Sequence, residues 1–354
     1  MPRALILGGT GMIGRATALR LLAAGWQVTV TGRNPANMPS EVAAAGGGFV
    51  SAGRADAGEL QAALADGVEL LVDCICYTAA DARLLLPLAR DAGSTVLISS
   101  KAVYVDAHGN HPNSDIKPRY DGPIRETQAT MAPRDIDHNS REGYGANKVA
   151  AEHVALDSGL PISVLRPSLI HGVGAAFPRE WVFVKRALDR RPAVLLAGRG
   201  SGTAHPTAAA NVATLIETVA RAPGARILNI ADPDVPSALD ISRTIARHLG
   251  HDREEVLLDD SADPDLGLTP WDSKHPVVLD MSAATELGYR PVGDYATTVA
   301  AEVDWLVDAA RNGDRAGIPP AAGDPRFSRF LDYAAEDRFL AGRRRRQGPS
   351  HGSG

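Results

Sequence analysis

Residues 8–14 read Gly-Gly-Thr-Gly-Met-Ile-Gly, and no other stretch of the 354-residue chain limits its fold as tightly. The apolar run Ala4 to Leu7 precedes it, the helical stretch Arg15 to Ala24 follows, and Val28 to Thr31 is a second β-rich run. Strand, glycine turn, helix and strand together make a βαβ unit. Glycines at 8, 11 and 14 permit a tight turn, close backbone approach to a pyrophosphate, and close packing of helix on sheet, while the helix N-terminus favours an anion. In this context the turn, with Gly8, Thr10, Gly11, Met12, Ile13 and Gly14, is expected to bind a dinucleotide.

The same alternation continues. Phe49 and Val50, Glu69 to Cys76 and Thr95 to Ser99 read as strands, with helical stretches at Glu59 to Ala65 and Ala79 to Ala92 between them. This predicts an α/β fold of Rossmann type: a doubly wound parallel sheet with helices on both faces. Residues 105 to about 140 break the rhythm. They are rich in Pro, Asp, Asn and His and long for a loop in a compact domain, which suits an active-site or binding segment. Gly145 to Leu156 then reads as helix and Ile162 to Arg166 as strand. Further on, Trp181 to Leu188, Ala208 to Ala220 and Ala238 to Leu249 look helical, and Ile227 to Ile230 looks like a strand. The expected organisation is a dinucleotide-binding domain over 1–170, late strands and a smaller C-terminal substrate-binding lobe over 171–335, and a mobile basic tail over 336–354. That tail carries Arg343 to Arg346.

Composition narrows the function classes. Hydrophobic residues are 44% and charged residues 22% of the chain, which argues against a disordered or fibrous protein. The formal net charge of −5 disfavours a general nucleic-acid binder. No apolar run reaches 18 residues, so no membrane span is expected, and the N-terminus lacks the cleavage region of a signal peptide. A cytoplasmic address follows. Cys74 and Cys76, two apart in an apolar run, are expected to be free thiols that fill the core, and a disulfide between them is not expected.

Tyr144-Gly145-Ala146-Asn147-Lys148 sets a tyrosine and a lysine one helical turn apart on one face. With only 7 tyrosines in the chain and lysine scarcer still, chance rarely produces this pair. An ammonium beside a phenol favours the phenolate, which suits Tyr144 to acid/base work near neutral pH. Ser99 and Ser100 end a predicted strand, and ligands of open parallel sheets bind beyond such ends. After the second strand the chain reads Thr31-Gly32-Arg33-Asn34. An acidic residue for ribose hydroxyls is absent there, and a guanidinium suited to a 2′-phosphate is present, so NADP(H) is favoured over NAD(H). His108, His111 and His138 lack metal-ligand spacing, and no metal is expected. Phe177, Trp181 and Phe183 suit either a pocket for an apolar substrate or helix packing, and His171, after a strand near the expected pocket, reads as a polar loop residue sooner than as a catalytic one.

Taken together, GGTGMIG at 8–14, ISSKAVY at 98–104, YGANK at 144–148 and LRPSLIHGVG at 165–174 resemble the extended short-chain dehydrogenase/reductases, specifically the family of NAD-dependent epimerases and dehydratases. The resemblance covers about residues 1 to 250. It implies that Tyr144 is the catalytic acid/base, that Lys148 assists it and holds the nicotinamide ribose, and that Ser100 orients the substrate oxygen. It further implies that Pro167 to Leu169 lie near the nicotinamide, that Cys76 and Tyr77 lie near its ribose, and that a homodimer is the family's habit. Two departures stand out. The aspartate usual for the adenine after the third strand has only Asp56 as a stand-in, and residues 202–211 lack the arginine and His-Val-Asp-Asp-like run common in nucleotide-sugar members. The leading expectation is therefore an NADPH-dependent reductase of a small-molecule carbonyl, or the reverse oxidation. The alternatives are a nucleotide-sugar epimerase or dehydratase and a non-catalytic cofactor sensor.

Overall fold

Four consecutive buried residues, Ala4 to Leu7, leave β1 (Arg3–Leu7) without a solvent face, the mark of a strand inside a parallel sheet covered on both sides. The computed structural model describes residues 1–273, 275–312 and 325–346. After β1 come α1 (Met12–Ala23), β2 (Gln27–Gly32), α2 (Ser40–Ala44), β3 (Gly48–Ser51), α3 (Ala57–Leu64), β4 (Val68–Asp73), α4 (Ala79–Arg90), β5 (Ala92–Ile98), α5 (Arg141–Leu156), β6 (Ile162–Pro167) and β7 (Leu169–His171). The chain continues through α6 (Trp181–Leu188), β8 (Ala193–Leu196), β9 (Pro206–Ala208), α7 (Ala209–Arg221), β10 (Arg226–Ile230), α8 (Ala238–Leu249) and β11 (Glu254–Leu257). It ends with α9 (Ser282–Glu286), α10 (Tyr295–Thr298), α11 (Ala300–Asn312), α12 (Pro325–Ser328) and α13 (Tyr333–Arg346).

The main sheet has seven strands in the order β10-β6-β5-β4-β1-β2-β3, every pair parallel. This is the expected Rossmann arrangement. The order reverses between β1 and β4, so a crevice opens at their carboxyl ends, beside the glycine turn. Alternation along β1 divides the core: Ala4 and Ile6 join Val28, Val30, Leu70 and Val72 against α1 and α7, and Leu5 and Leu7 join Leu71, Leu85 and Leu97 on the opposite face.

The chain divides into two units. The first is Met1–Ala175, Ala204–Val235 and Ser273–Glu302, and the second is Ala176–Thr203, Pro236–Asp272 and Val303–Gly354. The units are not consecutive blocks, as a boundary at residue 170 would make them, because the chain returns twice to the first unit. In the second unit β8 and β11 pair in parallel, and Ala193, Leu195, Val256, Leu258 and Leu340 form a small core. Trp181 and Phe183 are buried there, Phe183 stacks on Trp271 at 5.7 Å and Phe177 on Phe327 at 4.5 Å, so these aromatics act in packing. The expected mobile tail needs correction as far as residue 346. It is the helix α13, with buried Glu336 paired to buried Arg186 at 2.5 Å and Arg343 paired to Glu254 at 2.6 Å. Residues 347–354 of that expectation lie outside the described residues. Among the described residues no helix is long and apolar enough to cross a membrane.

One buried ion pair knits the first unit. Arg166, on β6, donates through Nε to Glu152 Oε1 at 3.0 Å and through Nη2 to Oε2 at 2.5 Å, and both side chains are almost fully buried. Ser99, at the end of β5, donates to the same Oε1 at 2.5 Å. The guanidinium lies 4.8 Å from the Tyr104 ring centre, and the Tyr104 hydroxyl donates to Asn229 on β10 at 2.6 Å. Removing one partner of such a pair strands a buried charge, at a cost of about 3–5 kcal/mol, whereas replacing both with apolar residues costs far less. Arg166→Met is therefore expected to lower urea stability by about 3–5 kcal/mol, and Arg166→Met with Glu152→Leu by much less than the two single changes added. Simple additivity of the two would contradict this reading.

Candidate active site

The glycine turn separates glycines that the protein needs from one that a ligand needs. Gly8 sits at φ +75°, and the turn closes with Gly11 N donating to Gly8 O at 3.1 Å. A Cβ on Gly9 would lie 2.3 Å from the Val30 side chain, and one on Gly14 would lie 2.5 Å from Gly9 Cα, so packing of α1 on the sheet excludes both. Gly11 differs: a Cβ there would meet only Gly8 O, at 3.5 Å. The space in front of Gly11 is open. Gly11 also heads α1, whose N-terminus has no side-chain cap and no acidic residue in its first turn. Uncapped amides facing open space suit a pyrophosphate, so the expected cofactor turn fits that group. Thr10, Met12 and Ile13 are half-buried around it.

Tyr144 and Lys148 lie one turn apart on α5, as expected. Ser140 caps this helix, accepting from Gly143 N at 3.0 Å. Gly145 lets the backbone of the short 3₁₀ turn Lys101–Val103 approach, since a Cβ would lie 2.5 Å from Ala102 O. Ser100 heads that turn, and its Oγ accepts from Ala102 N at 3.1 Å, which leaves its O–H to donate elsewhere. Lys148 is buried. Its Nζ donates to Cys76 O at 2.7 Å and Ile98 O at 2.9 Å, and lies 4.5 Å from the Tyr77 ring centre and 6.0 Å from that of Tyr144. The lysine thus ties the loop after β4 and the end of β5 to α5. Two of its three N–H groups are used, and one is left for a ligand.

The surrounding groups have distinct characters. Burial, then the nearby Asp73, pushes the Cys76 thiol up, so Cys76 is not a nucleophile at neutral pH, and both cysteines are free. Burial likewise pushes the Tyr77 phenol up. His138 stacks on Tyr77 with ring centres 5.5 Å apart. Pro167 ends β6 and Leu169 opens β7. Half-buried Tyr144 lines an open cavity of about 710 Å³ together with Tyr77 and His138.

Arg33 and Asp56 follow the carboxyl ends of β2 and β3. Arg33 is exposed directly after β2, and Asp56 caps α3 by accepting from Glu59 N at 2.9 Å. Arg54 turns inward instead, donating to buried Asp73 at 2.6 Å and to Asp81 O at 2.7 Å. Asp73 is the last residue of β4, and only its place at a strand's carboxyl end hinted at a role. His171 is not a loop residue but a buried one that ends β7, 2.8 Å from Asp232.

A doubly wound sheet with its glycine turn, and a tyrosine and lysine on the helix before the sixth strand, define a protein of extended short-chain dehydrogenase/reductase type. The chain belongs to the NAD dependent epimerase/dehydratase family, whose model matches residues 4–231. No curated protein sequence matches it. Among solved structures it is similar to a candidate epimerase from Burkholderia cenocepacia J2315, at 24% identity and a TM-score of 0.67 over 88% of this chain and 98% of that one. It is also similar to dTDP-glucose 4,6-dehydratase from Bacillus anthracis str. Ames in complex with NAD, at 17% identity and 0.65 over 88% and 98%. A third is UDP-glucose 4-epimerase from Thermotoga maritima with UDP-glucose, at 16% and 0.64 over 87% and 99%.

The glycines give a direct test. Gly11→Val is expected to keep the thermal stability of the parent while weakening calorimetric binding of NAD at least tenfold. Gly14→Ala is expected to destabilise the fold itself. Unchanged NAD affinity in Gly11→Val would show that the open space before Gly11 is not the cofactor's.

Proposed function

We propose that this protein removes a hydride and a proton at a hydroxyl-bearing carbon of a small molecule and returns the hydride within the same turnover, to that carbon as an epimerase does or to a neighbouring carbon that has lost water as a dehydratase does, with no net oxidation or reduction of the cofactor. The observation that carries this reading is Tyr144, whose phenol opens on the cavity while Lys148 behind it is held by two backbone carbonyls. A bound nicotinamide would supply the hydride acceptor and donor. Tyr144 takes the hydroxyl proton as the carbon–oxygen bond gains double-bond character, and gives it back on return. Lys148 supplies positive charge near that phenol and keeps one N–H for the ribose. Ser100 donates to the substrate oxygen, and its position is set by the turn it caps. Gly11 and the first turn of α1 hold the pyrophosphate. Membership of the epimerase/dehydratase family favours this internal redox cycle over net reduction.

A second reading, net reduction of a carbonyl with NADPH, has one observation in its favour: Arg33 stands exposed after β2 with no acidic residue in the run 31–34. Calorimetric titration with NADH and NADPH separates the two. A tenfold preference for NADPH, about 1.4 kcal/mol, that disappears in Arg33→Ala supports the reductase. Equal affinities or a preference for NADH support the internal cycle. In either case Tyr144→Phe is expected to lower turnover by about 10²–10⁴-fold with little change in cofactor affinity. Retained turnover in that variant would remove Tyr144 from the acid/base role.

A further inference from the structure

The cavity beside Tyr144 has a charge pattern that the reading above leaves unused. Its wall carries Lys117, Arg141 and His138, together with Asn113 and Asn139, and no carboxylate lines it. Lys117 Nζ is oriented by carbonyls alone, Ser114 O at 2.8 Å and Pro112 O at 3.4 Å, and among the described residues it forms no ion pair. Arg141 pairs with Asp115 at 2.6 Å, but the two side chains are 74% and 90% exposed, so the pair is worth at most about 1 kcal/mol and an incoming anion competes with it easily. Arg141 also opens α5, whose first turn adds the positive end of a helix dipole.

The wall is preorganised. Asp106 gathers the backbone N–H groups of His108, Asn110 and Arg119 at 2.9–3.0 Å, which fastens both ends of the segment leading to Lys117. Fixing such a loop beforehand lowers the entropy cost of binding. The cavity is also apart from the expected pyrophosphate site, since its lining residues come from 77, 112–117 and 138–144 and include none from 8–14. Its volume of about 710 Å³ is that of a small-molecule site.

We propose that this cavity holds an anionic group of the substrate, a phosphate monoester or a carboxylate, gripped by Lys117 and Arg141 while Tyr144 works on a hydroxyl of the same molecule. The inference rests on Tyr144 being the acid/base. Lys117 and Arg141 are then specificity residues. They select phosphorylated or carboxylated hydroxy compounds over neutral ones, and they add nothing to the proton transfer itself.

The test is calorimetric titration of the full chain, saturated with NAD, with inorganic phosphate and separately with malonate. The expected result is saturable binding of at least one anion, weakened tenfold or more in Lys117→Gln/Arg141→Gln, with NAD affinity and thermal midpoint unchanged. Loss confined to phosphate assigns a phosphate monoester, loss confined to malonate a carboxylate, and loss of both the shared anion site. Each single variant, Lys117→Gln and Arg141→Gln, is measured as well, so that failure of the double variant to fold leaves the question answerable. Absence of binding by the parent protein, or equal binding by parent and variants, overturns the proposal. Tyr144→Phe is expected to bind the anion as the parent does. A Tyr144→Phe protein that still turns over, with anion binding intact, would instead overturn the acid/base reading and leave the anion site standing.

Discussion

The buried pair of Glu152 and Arg166 joins the three segments from which the site is built. Glu152 lies one turn beyond Lys148 and two beyond Tyr144 on α5, Arg166 immediately precedes Pro167, and Ser99 immediately precedes Ser100. A bidentate, charge-assisted contact has little angular freedom. It therefore fixes the height of α5 against the ends of β5 and β6, and with it the position of the tyrosine relative to the serine. Through Tyr104 and Asn229 the same network reaches β10 and, by Asn229 Nδ2 donating to Ile124 O at 2.8 Å, the long segment between Ser100 and Tyr144.

A second fastening lies above the first. The Lys148 ammonium holds the carbonyls of Cys76 and Ile98, so the loop after β4 and the end of β5 are tied to the same helix one turn nearer the cavity. A lysine used this way does two jobs. It closes backbone acceptors that would otherwise be buried without partners, and it sets a positive charge close to the phenol. Small residues make this closeness possible, since Gly143 and Gly145 flank Tyr144 where side chains would strike Asp137 O and Ala102 O.

Local features of this site were legible in the sequence, and long-range ones were not. The glycine turn and the Tyr144 and Lys148 pair depend on spacings of a few residues, so periodicity and motif alone identify them. Glu152 and Arg166 are ordinary charges until the sheet brings β6 beside β5 and under α5, a conjunction that periodicity does not encode. Asp56 is legible after the third strand as a stand-in for an adenine contact, and the structure adds what spacing does not encode, that its Oδ1 also caps α3. The strands at 193–196 and 254–257 pass unnoticed because four residues, Ala-Val-Leu-Leu and Glu-Glu-Val-Leu, are too short to show a period. The basic run at 343–346 looks solvated, yet it continues a helix anchored by Glu336 on Arg186, a partner 150 residues away.

The central claim is that these fastenings assemble one nicotinamide site from the glycine turn to Tyr144. A crystal structure of the NAD-loaded protein tests it most directly. The predicted result places the pyrophosphate against the amides at Gly11 and Met12, with the nicotinamide ribose about 2.7–3.2 Å from Lys148 Nζ and Tyr144 beside the nicotinamide. A nicotinamide end bound away from Lys148, or a pyrophosphate away from Gly11, would contradict the account.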